Sequence, residues 1–383
     1  MKKENILVIY NVNSINFKDS IPLYTSILEL LEYKYNFYFG SFLNKKNTLK
    51  LTKNINFIDI IELNNKNYIN WNDCYKYIED IQLKYNFKKI YLFGLYHRIP
   101  EYGYGTEDNI IKLYNKTVEN PKLYTTFKSS YNYYKPWMLV YHFTTKLDIP
   151  IVQINVDPAE IRFTNFNKKS KYLFHQYSSK RKTDVKYFPN LEYGYFYKNF
   201  KSFYNLDNDI INKNIDFIFG FSVFFDHRYE VLKDLLDNEQ TIFKNLNYKL
   251  FYKNFKKDNT EAINTLIPKD QYLKLLLQSK YTYTIQALDK DEFSIARFGE
   301  SWEFDTILLI NDKVDWEQAF YPQHKELIDF YKRNNLICST LEIGDRIRTL
   351  DYNKIIKEFK SLDYYKKMKD KQYYIDFINQ YDL

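Results

Sequence analysis

The chain has 383 residues, 45% of them hydrophobic, and only two cysteines, Cys74 and Cys338, which lie far apart and outside any CxxC or His-rich context. That length exceeds the roughly 250–300 residues at which a single core usually divides, so two domains are expected, and the cysteine usage excludes a disulfide framework or a structural zinc site. A net charge of +8 suits an anionic partner such as nucleic acid, a nucleotide or a membrane surface, although a chain this rich in Lys, Asn, Ile and Tyr is also what an AT-rich genome encodes whatever the function.

The amino-terminal stretch "MKKENILVIYN" is basic, but its apolar run breaks at Asn11, and no window approaches the ~18 apolar residues of a membrane span. A cytoplasmic protein without stable membrane insertion is the expectation. "NILVIYNV" (5–12) is a short, β-branched apolar run between asparagines, the pattern of a central parallel strand. In "SIPLYTSILELLEYKY" (20–35) apolar residues recur at three and four, and Ser20 and Pro22 suit a helix start. Further strands are expected at 36–42, 55–61, 88–96 and 149–156, with helices at 71–85 and 107–117. Strands alternating with helices predict a parallel sheet covered on both faces.

Between 164 and 212 the apolar periodicity fades, and then a second series begins. It reads as strand 215–222, helix 226–237, strand 248–254, helix 270–279, strand 281–288, helix 293–303 and strand 306–311, followed by one or two Tyr- and Lys-rich helices over 352–381. The expected organisation is an α/β fold of two Rossmann-like domains: 1–165, a basic-aromatic connecting region 166–212, a second domain 213–350, and terminal helices 351–383 packing back toward the first.

In open α/β sheets ligands bind beyond the carboxyl ends of the strands, where helix N-termini present free N–H groups. The helix expected at 293–303 therefore starts where a phosphate would lie, with Ser294 in its first turn and Arg297 and Glu300 sharing a face. There an Arg would grip a diphosphate bidentately and a carboxylate would accept both hydroxyls of a ribose; the plainer reading is an intrahelical ion pair on a solvated face. Gly220, one of eight glycines, is expected at the end of a strand, where a missing Cβ would let backbone approach a phosphate, with Ser222 and Arg228 following. The plainer reading here is a strand terminator beside a surface Arg. Gln286, at the end of the next strand, is placed near the nucleotide base. Neither GxGxxG nor GxxxxGK[ST] occurs, so dinucleotide oxidoreductases and P-loop NTPases lose ground.

"DFIFGFSVFFDHRYEVLKDLL" and "QYLKLLLQSKYTYTIQALDKDEFSIARFGESWEFDTILLI" together resemble the carboxyl-terminal half of a GT-B glycosyltransferase, over about 215–312. The resemblance implies two Rossmann-like domains facing across a cleft and a nucleotide-sugar donor, a UDP-sugar first. It implies that Glu300 holds the ribose, Arg297 and Arg228 the phosphates, and Gly220 and Ser222 the phosphate-facing turn. "EFDTILLI" departs from the family by lacking the Gly and Pro that often follow this helix. No DxD motif is present to hold a divalent ion, so a metal is not indicated.

In such enzymes the first domain contributes the acceptor site and, in inverting members, a catalytic base. Asp157, in "IVQINVDPAE", ends an apolar strand and is the first candidate; an Asp-Pro turn opener is the plainer reading. His97 and Glu101, in the Gly-dotted exit "LFGLYHRIPEYGYG", are the second. The stretch 167–188 interleaves Lys168, Lys169, Lys171, Lys180, Arg181 and Lys182 with aromatics, which suits phosphates and stacked bases. In size, charge and architecture the chain is similar to bacteriophage enzymes that glycosylate hydroxymethylated bases in DNA. DNA is thus the expected acceptor and partner, the rivals being a cell-surface polysaccharide or protein acceptor, and a DNA-binding protein without catalysis.

Overall fold

The structure, a computed structural model, describes residues 3–10, 21–41, 56–63, 70–93, 98–99, 103–104, 107–122, 131–155, 166–174, 177–178, 186–187, 194–206, 212–223, 226–254, 265–285, 293–313 and 325–380. The chain divides into two units: Met1–His175 with Asp184–Pro189 and Ile378–Leu383, and Gln176–Thr183 with Asn190–Phe377.

Unit one is built on a seven-stranded sheet. Its strands are β1 Glu4–Tyr10, β2 Tyr35–Ser41, β3 Asp59–Glu62, β4 Lys89–Phe93, β5 Ile151–Asn155, β6 Lys171–Phe174 and β7 Lys186–Tyr187. All neighbours pair in parallel, in the order β3-β2-β1-β4-β5-β6-β7. Helices α1 Ile21–Leu31, α2 Trp71–Tyr85, α3 Glu107–Glu119 and α4 Tyr131–Thr145 accompany it. Successive strand side chains face opposite ways, and Ile6, Leu7, Val8 and Ile9 are all fully buried, so β1 is covered on both faces. On one face Leu7, Ile9 and Leu92 share a core with Cys74 and Ile78 of α2, Leu113 of α3 and Phe143 of α4. Helix α2 starts where Asn70 accepts the Asp73 N–H (3.1 Å) and stops at Asn86, whose φ of 51° places it in the left-handed region.

The helices on that face share a buried polar knot. His142 of α4 stacks on Tyr75 of α2 (centroids 4.6 Å apart), meets the Tyr114 hydroxyl through Nδ1 at 2.8 Å and Glu79 through Nε2 at 3.1 Å. A neutral imidazole with its proton on Nε2 satisfies both partners. Burial lowers the His142 pKa, against the pull of Glu79.

Unit two carries a five-stranded parallel sheet of β8 Ile215–Val223, β9 Tyr248–Asn254, β10 Ser279–Thr284, β11 Ile307–Asn311 and β12 Ile337–Cys338, in the order β9-β8-β10-β11-β12. Its helices include α5 Tyr197–Phe203, α6 Asp226–Asp237, α7 Lys269–Leu277, α8 Ile295–Glu303, α9 Lys325–Arg333, α10 Ile343–Thr349, α11 Tyr352–Ser361 and α12 Asp363–Lys369, with a single turn at Glu239–Ile242, and α13 Lys371–Gln380 begins in this unit and ends in unit one. Trp302 of α8 stacks on Phe359 of α11 at 3.9 Å and donates its indole N–H to the buried Tyr331 hydroxyl of α9 at 2.9 Å, joining three helices over one face. Lys213 donates to Ser279 O (2.7 Å), Phe304 O (2.6 Å) and Thr306 Oγ1 (3.0 Å). Burial pushes its pKa down to about 7, yet three acceptors match the three N–H bonds of an ammonium and favour the charged form. Cys74 and Cys338 are both buried thiols.

Several elements differ from expectation for identifiable reasons. Residues 171–174 and 186–187, expected in a connecting region, extend the first sheet as β6 and β7, because basic residues are tolerated at the sheet's margin. Ser294 lies not in a helical turn but in a two-residue strand, Phe293–Ser294, paired antiparallel with Tyr177–Ser178. Strand β10 begins at Ser279 and ends at Thr284, two to four residues before the span expected. Helices at 131–145, 325–333 and 343–349 were not anticipated, and 352–380 forms three helices rather than one or two.

Two stability predictions follow from these contacts. A Cβ on Gly344 would meet Ile242 O at 1.8 Å, a backbone atom that cannot step aside; Gly344→Ala should lower unfolding free energy by about 1–3 kcal/mol in denaturant melts. For His142 the folded state resists a proton that the unfolded chain accepts at about 6.5, so its contribution falls as pH drops below that value. Melting temperatures of the native chain should therefore drop more steeply between about pH 6.5 and 5 than those of His142→Gln.

Candidate functional site at the carboxyl rim of the second sheet

Strand order locates the site. From β8 the chain passes to β9 on one side, then to β10 on the other, so the connections leave in opposite directions and open a crevice at the carboxyl ends of β8 and β10. Those ends are Val223 and Thr284, and the helices that follow them, α6 and α8, begin at the same rim. Helix α7, after β9, begins there too. Unit one has the corresponding reversal between β1 and β4.

Glu300 is the sixth residue of α8 and only 2% exposed. Its Oε1 accepts a hydrogen bond from Nζ of Lys269, the first residue of α7, whose side chain is 30% exposed. A buried carboxylate is costly unless charge and hydrogen bonds compensate it, and Lys269 supplies both. Glu300 is thus inside the fold rather than on the solvated face of the plainer reading, and its described cationic partner comes from another helix. The pair presents a carboxylate able to accept hydroxyls beside an ammonium able to meet a phosphate.

The remaining residues are placed as follows. Arg297 is the third residue of α8 and Arg228 the third of α6, each in the first turn of a helix starting at the rim. Ser222 is the penultimate residue of β8, in register with Lys253 of β9. Gly220 is not at a strand end but three residues earlier than it, and a Cβ there would meet the Tyr272 ring of α7 at 2.8 Å. The close approach of a helix side chain to the sheet accounts for the glycine at this position, and its expected placement at the strand end is corrected. Asp157, His97, Glu101, Gln286, Lys180, Arg181 and Lys182 lie outside the described residues.

Lys168, Lys169 and Lys171 stand at the amino-terminal end of β6, the end of the parallel sheet opposite its carboxyl rim, and Lys169 is paired with Asp148 at 2.6 Å. Among the described residues no group of three His, Cys, Asp or Glu side chains is arranged to hold a metal ion, and no helix is long and apolar enough to cross a membrane. Lys269 was missed in the sequence because a lysine after Pro268 in a chain with 56 Lys and Arg residues carries no distinguishing signal.

Removing the lysine leaves the carboxylate buried without its described cation. Lys269→Met should therefore cost about 2 kcal/mol, less than for a fully buried pair because the lysine is partly solvated, and Lys269→Met/Glu300→Leu should recover most of the loss in a double-mutant cycle.

No protein-family model and no curated protein matches the chain. Among solved structures, a variant of the O-GlcNAc transferase of Thermobaculum terrenum is similar at a TM-score of 0.50 and 9% identity, over 100% of this chain and 67% of that one. The UDP-GlcNAc 2-epimerase of Methanocaldococcus jannaschii aligns at a TM-score of 0.42 and 10% identity, covering 93% and 92% of the two chains. Acinetobacter baumannii MurG aligns at 0.41 and 9%, covering 98% and 99%; these two scores are too low to bear on the argument. The strand orders of the two units, with the first of these likenesses, establish the fold class as a two-domain α/β fold of the GT-B type.

Proposed function

We propose that the chain is a glycosyltransferase that binds a nucleotide sugar, a UDP-sugar first, at the carboxyl rim of the second sheet and moves the sugar to an acceptor hydroxyl. The observation that carries this reading is the buried Glu300, held by Lys269, on the helix that follows the strand-order reversal. In this reading Glu300 accepts the ribose hydroxyls, while Lys269, Arg297 and Arg228 offset the negative charge of the diphosphate. The acceptor oxygen forms a bond to the anomeric carbon as the bond from that carbon to the diphosphate oxygen breaks. The acceptor proton passes to Asp157, with His97 and Glu101 the next candidates.

The finer reading of the acceptor, a hydroxymethylated base in DNA, draws on the net charge of +8 and the basic stretch 167–188. Its described lysines stand at the end of their sheet opposite the carboxyl rim and lend a DNA acceptor there no further support. The acceptor class is accordingly a matter for assay: hydroxymethylated DNA, a glycan and a protein substrate, each with the same donor.

A thermal-shift panel of nucleoside diphosphates and nucleotide sugars tests the donor. One nucleotide should raise the melting temperature of the native chain and not of Glu300→Ala; no shift with any would remove the reading. With a donor and acceptor in hand, Asp157→Asn should lower transfer by about 10²–10⁴-fold while leaving nucleotide binding unchanged.

A further inference from the structure

Under α7, the second sheet carries a cation at its carboxyl rim that the donor reading has not used. Side chains alternate between the two faces of β8 and β9. On one face Phe217 and Phe219 share a core with Val231 and Leu232 of α6, and Leu250 and Tyr252 pack against it. On the other Ile218 shares a core with Tyr272 and Leu273 of α7, and Phe251 packs against that one. Phe251 is in register with Gly220 and meets the Tyr272 ring edge-on, with centroids 6.5 Å apart. Two residues further toward the rim, Lys253 falls on this same α7 face, half-buried and in register with Ser222. Helix α7 begins at the rim, so Lys269, one turn before Tyr272, also lies on the rim side of the contact between Tyr272 and Gly220. Strand register and helix spacing thus bring Lys253 to the same side of the rim as the pair of Lys269 and Glu300.

We infer that Lys253 is a phosphate-binding residue of this site and meets the diphosphate of the nucleotide from the β9 side; the inference rests on the donor reading proposed above. Lys269 and Glu300 offset each other's charge, and Lys253 adds a second ammonium to their face. The exposed acid in the first turn of α7, Asp270, shares the outward side of that helix with exposed Lys274, four residues on, whereas Tyr272, Leu273 and Leu276 are buried on the inward side. An ammonium has three donors and no acceptor, which suits phosphoryl oxygens, and a lysine stem packs along apolar surface while its charged end stays at the rim. Carried by a strand inside a sheet, Lys253 is also placed before the anion arrives, so binding orders less of the chain than it would for a lysine on a loop.

Titration calorimetry of the full-length native chain with UDP, GDP and dTDP tests the inference, alongside Lys253→Gln, Lys253→Arg and Lys274→Gln. For a diphosphate that binds the native chain, Lys253→Gln should weaken binding by about tenfold, and Lys253→Arg, which keeps the charge, by no more than about threefold. The loss in Lys253→Gln should shrink as salt rises from about 0.05 M to about 0.5 M, as for a charge contact. Lys274→Gln removes the same charge from the outward side of α7 and should leave the affinity unchanged, and the melting temperatures of the free proteins should agree. Unchanged affinity in Lys253→Gln, or an equal loss in Lys274→Gln, overturns the inference and leaves the donor reading standing. Failure of all three diphosphates to bind the native chain removes the donor reading and the inference with it.

Discussion

A parallel sheet imposes the constraint from which the rest of this molecule derives. Its strands are buried on both faces and must be reconnected by crossovers, so every strand in a unit points the same way and every carboxyl end falls on one edge. The order β9-β8-β10-β11-β12 then puts the reversal of connections beside β8, and loops and helix starts collect at that place. The opposite edge receives strand beginnings and helix ends, where the chain turns in tight, polar, lysine-rich connections.

Charge burial at the rim gives the site its particular character. Glu300 lies beside the core residues Phe298 and Trp302 of the same helix, where a carboxylate is costly unless charge and hydrogen bonds compensate it. Lys269 reaches it from the first turn of the neighbouring helix, and Tyr272, one turn further along, occupies the space that Gly220 leaves open. Gly220, Tyr272, Lys269 and Glu300 thus form a chain of dependence: the glycine lets α7 sit close to β8, and that seating is consistent with Lys269 reaching Glu300. A glycine and a charged pair that look independent in one dimension lie together in three.

Much of the fold was legible in the sequence because it is carried by local signals. Runs such as "ILVIY" and "TILLI" are too apolar and too short for anything but buried strands. The strands at 171–174 and 186–187 were not legible, since lysines and tyrosines at a sheet margin give no period-2 contrast. Glu300 was singled out as a candidate from its spacing after a strand, but its burial and its Lys269 partner depend on a contact between residues 31 apart. Gly220 was noticed for its rarity, but its neighbour Tyr272 was not legible, because sequence does not reveal which side of a strand is approached.

Hydrogen–deuterium exchange of the full-length chain, with and without saturating UDP, tests the central claim most directly. The account predicts slowed exchange confined to the carboxyl rim of the second unit, in the end of β10, the first turn of α7 and α8. Unchanged exchange there, or protection restricted to unit one, would contradict it.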